Sequence, residues 1–141
     1  MYITATDIYA VIKEADVIKL TDDDDTGSVN VDFVNAAIIA AGSVIESYLA
    51  RRYQLPLSEV PEVVKSVAVS LTVYTLYQRS SLEPDEKSKR ASSDAVNLLK
   101  DISTGIASLG LQERTTPSVG QAESNKATHD RVFTLDTLKG F

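Results

Sequence analysis

Apolar residues recur at helical spacing in three long stretches of the chain. Residues 31–52 carry them three and four positions apart, which places them on one face of a helix. Residues 62–78 are apolar around most of the circumference, which is typical of a central helix. A third helix is predicted from Pro84 to Gly105, because proline suits the first turn of a helix and glycine its C-terminal cap. The stripe of the first helix comprises Val34, Ile38, Ala41, Ile45 and Tyr48.

Shorter helical segments precede these three. Thr6 and Asp7 form a helix-start signal for residues 7–13, and residues 16–20 add one or two further turns. Helices this short are marginal in water, so they depend on packing against the longer ones. A loop is predicted at residues 21–28, because adjacent carboxylates repel one another and Asp, Ser and Gly favour turns.

The predicted fold class is all-α: a small helical bundle of about four helices, with one more short helical turn at the N-terminal side and an extended C-terminal arm. We place the helical domain at residues 1–111 and the arm at residues 112–141. The core is expected to comprise Val34, Ile38, Ile45, Val67, Leu71, Tyr74, Leu98 and Ile102.

The arm divides into a polar and an apolar part. Residues 112–130 are mainly polar, charged or small, with a single valine, so they cannot build a core and are expected to be disordered or extended when unsupported. Residues 131–141 instead carry large apolar side chains, each worth about 1.5–3 kcal/mol when fully buried. They either fold back on their own domain or dock on a neighbouring subunit or another protein, and we favour docking. The candidate interface residues here are Arg131, Phe133, Leu135, Leu138 and Phe141.

Composition narrows the classes of function. At 141 residues the chain predicts one domain, since domains run to roughly 100–200 residues. A formal net charge of -6 disfavours binding to nucleic-acid phosphates through a general positive field. The absence of cysteine excludes disulfides and thiolate chemistry. We expect neither export nor a membrane span, because no basic segment precedes an apolar one and no stretch approaches 18 uninterrupted apolar residues.

The acidic loop is a candidate calcium site. Asp22, Asp24 and Thr26 offer oxygen ligands at alternate positions before Gly27, which is the pattern that a hard cation needs. In an EF-hand-like loop that starts at Asp22, the twelfth position carries a bidentate glutamate, but here that position is Phe33. A calcium-binding interaction module that uses residues 22–27 is therefore the alternative function, and a solvated turn is the simpler interpretation.

Arg51, Arg52 and Tyr53 follow the first long helix and are candidate interface residues. Arginine presents a fork and tyrosine a stacking face, so these residues could contact phosphate. Two arginines at a helix end more often pair locally with the helix dipole and nearby carboxylates, which is the interpretation we favour, ahead of an intersubunit salt bridge and of a phosphate contact.

Catalysis is not expected. The single histidine, His129, lies in the polar arm, and the sequence has no nucleophile elbow or glycine-rich oxyanion loop. A small hydrolase that uses His129 is a rival interpretation. Paired carboxylates for glycoside hydrolysis would have to come from residues such as Glu46, Glu59 and Glu62. Those glutamates have the placement of helix-surface and helix-start charges.

Short blocks spread over nearly the whole chain resemble the small neck proteins of Mu-like phages and prophages. The most specific block is Tyr-Leu-x-x-Arg-Tyr-x-Leu-Pro-Leu at residues 48–57. The other blocks are residues 2–20, 20–22, 60–61, 108–111, 131–133 and 137–141.

This resemblance implies a helical head-to-tail connector or head-completion adaptor of the virion, without catalytic activity or cofactor. Such proteins form a ring, typically of twelve copies, below the portal, and contact the portal and tail-side neck proteins. The expected location is the virion, and the host cytoplasm during assembly. No contact with specific nucleic-acid sequences is expected, and an acidic loop at residues 22–25 would suit a channel through which DNA slides.

Overall fold

The computed structural model describes residues 1–114 of the chain, so most of the predicted arm lies outside the described residues. The described part is helical, which confirms the all-α fold class. Two short helices precede three long ones, as the apolar pattern predicted. The helices are α1 Ala5–Tyr9, α2 Glu14–Thr21, α3 Val31–Leu49, α4 Glu62–Arg79 and α5 Glu86–Thr104.

Helix α4 is the centre of the bundle, as its apolar circumference predicted. It contacts each of the other four helices, while α3 and α5 also contact each other. Because neighbouring helices surround α4 on several sides, it has valine, alanine and leucine at positions where a surface helix would have polar residues. Its buried residues are Val64, Val67, Ala68, Val69, Leu71, Thr72, Val73 and Leu76.

The predicted core is largely confirmed, with two corrections. Tyr74 and Leu98 are wrong as core residues, because both are only half-buried. Their neighbours Val73 and Leu99 are buried in their place. Both α4, which holds Tyr74, and α5, which holds Leu98, contact more than one helix, so the buried arc of each differs from the single stripe that the sequence spacing indicated. The confirmed core residues are Val34, Ile38, Ile45, Val67, Leu71 and Ile102.

Side chains define where two of the helices begin. Helix α1 starts earlier than Thr6 and Asp7 suggested, because the Asp7 carboxylate accepts hydrogen bonds from the Thr4 backbone nitrogen at 2.7 Å and from its hydroxyl at 2.9 Å. These bonds lower the pKa of Asp7, the backbone bond most. Helix α5 starts after Asp85, whose carboxylate accepts from the Ser88 nitrogen at 3.0 Å.

Tyr2 ties the N-terminal segment to α3. Its ring lies 3.8 Å from the point where a Cβ on Gly42 would sit, and its hydroxyl donates to the Glu46 carboxylate at 3.3 Å. Burial raises the pKa of Tyr2 to about 12, and the charge of Glu46 adds to the rise. Because folding favours the neutral phenol, the stability that Tyr2 contributes is fully present below pH 10.0 and is lost as the pH rises towards 12.

We expect Leu71→Ala to destabilise the domain by about 2–5 kcal/mol, because it removes a buried side chain from the central helix and leaves a cavity. Urea denaturation followed by circular dichroism measures the change. Val63→Ala is the matched control on the same helix, since Val63 is exposed and its truncation should change stability by no more than about 0.5 kcal/mol. Equal effects of the two variants would contradict this assignment of the core.

Candidate partner interfaces

Arg52 lies where the ends of α3 and α5 meet. One guanidinium nitrogen, Nη1, donates to the Ile102 carbonyl at 2.8 Å and to the Ala107 carbonyl at 2.9 Å. The other, Nη2, forms an ion pair with Glu113. The last carbonyls of a helix have no partner within it and carry its negative dipole end, so a largely buried cation stabilises them. Arg52 therefore caps α5 and fixes the chain that follows it.

Tyr53 fixes the same segment from the other side. Its side chain is 1% exposed, and its hydroxyl accepts a hydrogen bond from the Leu109 nitrogen at 3.0 Å. The Arg52 carbonyl accepts a bond from the Arg114 nitrogen at 2.7 Å, and Tyr53 forms an isolated antiparallel bridge with Glu113. Residues 107–114 are thus held against the start of the α3–α4 connector, and the arm leaves from this end of the bundle.

Gly105 makes the turn from α5 into this segment possible. Its φ of 92° lies in the left-handed region, which confirms the glycine cap predicted from the sequence. A Cβ at this position would lie 3.6 Å from Nη1 of Arg52, which is ordinary contact. The backbone conformation, and not crowding, therefore favours glycine here.

The candidate interface residues are distributed unevenly. Arg51 is exposed, whereas the side chains of Arg52 and Tyr53 are engaged within the chain, which is the local pairing that the sequence had left open. Of these three residues, Arg51 alone presents its side chain to solvent. The remaining candidates lie outside residues 1–114, and their interface role stays a prediction: Arg131, Phe133, Leu135, Leu138 and Phe141.

The acidic loop is folded around Asp22. Its carboxylate accepts hydrogen bonds from the Thr26 nitrogen at 2.9 Å, the Thr26 hydroxyl at 3.0 Å and the Gly27 nitrogen at 2.6 Å. These bonds, led by that from the Thr26 backbone, lower the pKa of Asp22. Both carboxylate oxygens thus already serve as acceptors for the turn.

Arg79 anchors this loop to the end of α4. Its Nη1 donates to the Leu20 carbonyl at 3.0 Å, and its Nη2 pairs with Asp23. The guanidinium carbon lies 3.4 Å from the centroid of the Phe33 ring, over its face. An arginine therefore joins the end of α2, the acidic loop and the start of α3.

The calcium candidates Asp22, Asp24 and Thr26 are not gathered into a ligand sphere of side-chain carboxylates. Over residues 1–114, no group of three or more Asp, Glu, His or Cys side chains converges as a metal site. Asp22 and Asp23 hold the loop and α4, while Asp24 is exposed. Calcium binding stays a prediction of the sequence.

The middle of helix α3 turns an uncharged surface to solvent between the exposed Asp32 and Glu46, and we call this surface the α3 face. Between Phe33 and Ile45 the helix carries no charged residue, although Ile39 is 60% and Val44 is 41% exposed. By length and composition alone α3 is apolar enough to cross a membrane, but its opposite side packs in the domain core. An outward face without charge is typical of a contact with another protein surface. Its members are Ala36, Ile39, Ala40, Ser43 and Val44.

The fold and these surfaces define a small helical domain in which Arg52 and Tyr53 hold the last described residues, 107–114. Residues 2–127 match the family Bacteriophage Mu, Gp36. The chain belongs to this family, which confirms the resemblance to Mu-like phage proteins. It is also similar to the Mu-like prophage FluMu protein gp36 of Haemophilus influenzae, with 27% identity over 108 residues, or 77% of this chain and 74% of that protein.

We expect Arg52→Ala to destabilise the domain by about 2–3 kcal/mol, because it leaves helix-terminal carbonyls and Glu113 without their charged donor. Limited proteolysis should also cleave residues 105–114 faster. Urea denaturation and mass spectrometry of the fragments measure the two effects. Arg51→Ala is the neighbouring control and should stay within about 0.5 kcal/mol of the parent, since Arg51 is exposed.

We expect calcium to leave thermal stability unchanged, because hydrogen bonds within the loop already occupy the Asp22 carboxylate. Differential scanning calorimetry with calcium chloride and with a chelator makes the comparison. A ligand that binds only the folded state raises the melting temperature. A rise that Asp24→Asn removes would favour the calcium-binding module.

Proposed function

We propose that this protein is a structural component of the virion, a head-to-tail connector or adaptor that assembles as a ring at the portal during head completion and tail joining. It acts without catalysis or cofactor, in the virion and, during assembly, in the host cytoplasm. Membership of a Mu-like phage family supports a phage role. The observation that carries the ring is the α3 face, because it offers a folded, uncharged surface on the middle turns of α3.

A ring requires a surface that meets a different surface on the next copy. Contacts of this head-to-tail kind close into a ring when the rotation between copies divides a full turn. The α3 face suits one side of such a contact, because alanine and serine let a neighbouring backbone approach while Ile39 and Val44 supply apolar area. Burial of those two side chains removes apolar surface from water.

The arm supports contacts beyond the ring. Arg52 and Tyr53 hold residues 107–114, so the arm starts at a fixed place and direction on each copy. A ring would therefore present its arms at one end, where the portal or a tail-side protein would bind them. The large apolar side chains of residues 131–141 would supply the affinity.

The titratable groups with shifted pKa fit a structural role. The pKa values of Asp7, Asp22 and Asp85 are lowered chiefly by hydrogen bonds that hold helix starts and the acidic loop. Each carboxylate stabilises backbone geometry, which is the work of a cap. The acidic loop would then face the DNA channel through Asp24 and Asp25, which are both exposed.

We expect Ile39→Glu to abolish assembly while the monomer stays folded, because it buries a charge in the subunit contact but meets only solvent in the free chain. Light scattering and native mass spectrometry of the full chain, alone and with the portal, give the copy number. Circular dichroism checks the fold.

Val63→Glu is the matched control, since it places the same charge on an exposed valine of α4 away from the α3 face. This variant should assemble like the parent. A parent chain that remains monomeric with the portal would refute the ring. Normal assembly by Ile39→Glu would show that the α3 face is not the contact.

A further inference from the structure

An apolar groove of about 280 Å³ lies between α4, the first turns of α5 and the α1–α2 connector. Since one water molecule takes up about 30 Å³ of the liquid, the groove has room for a large aliphatic side chain. Val69 and Val73 form its buried base, and Val11 on its edge is 60% exposed. The groove is therefore an open apolar surface on a folded part of the chain, which is typical of a contact with another protein.

The groove and the α3 face lie on opposite sides of the domain. Around α4, helix α3 stands between α5 and α2, because α3 contacts α5 and its Ala37 packs with Leu20 of α2 and Leu76 of α4. The groove occupies the remaining side of α4, between α5 and the α1–α2 connector, and so faces away from α3. The α3 face points outwards, since the buried residues of that helix are on its other side. Two different surfaces on opposite sides are what a head-to-tail contact between successive copies requires.

The two surfaces also lie at the same level along the bundle. The Arg79 guanidinium at the end of α4 lies over the Phe33 ring at the start of α3, so these two helices run in opposite directions. Val73 in the groove and Ile39 on the α3 face are each six residues from this contact, about 9 Å at the rise of a helix. A rotation about a ring axis that runs along the helices does not change this level. The groove of one copy can therefore meet the α3 face of the next.

Ile39 is the side chain of the α3 face that suits the groove. It is 60% exposed, and the small residues Ala36, Ala40 and Ser43 lie within about one turn of it. Small neighbours let the α3 backbone approach the groove closely while Ile39 enters it. A helix that lays its apolar face into an apolar groove is a recurrent form of protein recognition.

Two carboxylates accompany Ile39 on α3. Asp32 and Glu46 are both exposed, and each is seven residues from Ile39. Seven residues are nearly two helical turns, so the three side chains share one side of α3, with a carboxylate about 10 Å to either side of the isoleucine.

The rim of the groove offers the opposite charge. Its two lysines, Lys13 and Lys87, are exposed, and neither forms an ion pair with another residue among 1–114. Its two carboxylates are engaged within the chain, because Asp16 pairs with Lys19 at 3.2 Å and Asp85 caps α5. The positive charges of the rim are thus the ones left for a partner.

We propose that the groove of each copy receives the α3 face of the next copy, with Ile39 in the groove and Lys87 opposite Asp32. Lys87 and Asp32 match in level, because both stand at the end of the bundle where α4 ends and α3 begins. The apolar contact supplies the affinity, and the charges at the rim set the register. This inference rests on the proposed function, because it names the second surface of the ring contact.

Engineered cysteines test this contact in the full chain, which has no cysteine of its own. One preparation carries Ala36→Cys or Ser43→Cys, about one turn to either side of Ile39, and a second carries Ser70→Cys in the groove. The two are mixed, assembled with the portal and oxidised. We expect a disulfide-linked dimer for at least one pair, at ten times or more the yield obtained when Ser93→Cys replaces Ser70→Cys. Ser93 is exposed on α5 and does not line the groove, and a disulfide forms only when the two Cα atoms come within about 7 Å.

Two results of this cross-linking would overturn the proposal. One is a yield for both mixtures that does not exceed the Ser93→Cys control. The other is a preparation of Ser43→Cys alone that cross-links as well as its mixture with Ser70→Cys, since the α3 faces of two copies would then meet each other.

Charge reversal gives a second measurement that leaves the apolar base of the groove intact. Lys87→Glu should raise the concentration at half assembly, measured by light scattering, at least threefold. Asp32→Lys in the same chain should reverse most of this change, because opposite charges then face each other again. Lys100→Glu is the control, since Lys100 is exposed on α5 outside the groove, and it should assemble like the parent. A double variant that assembles no better than Lys87→Glu would overturn the pairing of Lys87 with Asp32.

The copy number of the parent chain, measured by native mass spectrometry, separates this proposal from the proposed function. A ring without the cross-link refutes the contact between groove and α3 face and leaves the connector role in place. Cross-linked chains without a closed ring support this contact and refute the ring.

Discussion

A cation placed at the carbonyl end of a helix is the interaction on which the rest of this structure depends. Arg52 does this for α5 and at the same time pairs with Glu113, so the end of one helix, the end of another and the start of the arm share one contact. Arg79 repeats the arrangement at the opposite end of the bundle, where it binds the Leu20 carbonyl near the end of α2 and pairs with Asp23. Charge–dipole contacts thus help to position the acidic loop and the segment that follows α5.

Apolar packing stabilises the helix bundle, and the two arginines add directional bonds to the connecting segments. The core needs only helix faces with apolar side chains, and α4 supplies these to all its neighbours. The acidic loop buries little apolar surface, so directional bonds order it. Residues 107–114 combine such bonds with Ala107, Leu109 and Leu111, which pack against the core. Since an arginine can donate to several acceptors in one plane, a single side chain orders a whole segment.

The helices and the phage family could be read from the sequence, but the polar contacts could not. Spacing of apolar residues locates α3, α4 and α5 because each helix buries a continuous face. It misplaces Tyr74 in α4 and Leu98 in α5 by one position, since the buried arc of each helix depends on where its neighbours pack. Arg52 was predicted as a candidate for partners, phosphate or local pairing, because sequence separation hides its distance from Ile102 and Glu113.

Two buried residues illustrate the same limit. Tyr2 lies before the first helix and Tyr53 lies in a connector, so neither belongs to a periodic stripe, yet both are buried. Tyr53 stands in the block Tyr-Leu-x-x-Arg-Tyr-x-Leu-Pro-Leu, the most specific part of the resemblance. The Tyr53 hydroxyl accepts a hydrogen bond from the Leu109 nitrogen, which gives this residue of the block a structural role. In the acidic loop, the clustered carboxylates suggested a cation site. The structure instead shows the Asp22 carboxylate accepting hydrogen bonds from backbone amides.

The lack of charge on the middle turns of α3, between Asp32 and Glu46, has a consequence for the environment in which copies associate. At physiological ionic strength, counterions screen the attraction between charged surfaces over a Debye length of about 8 Å. They do not screen the contact between surfaces made of alanine, isoleucine and valine. Association through α3 would therefore persist in the concentrated electrolyte that accompanies packed DNA, where a contact built on ion pairs would loosen.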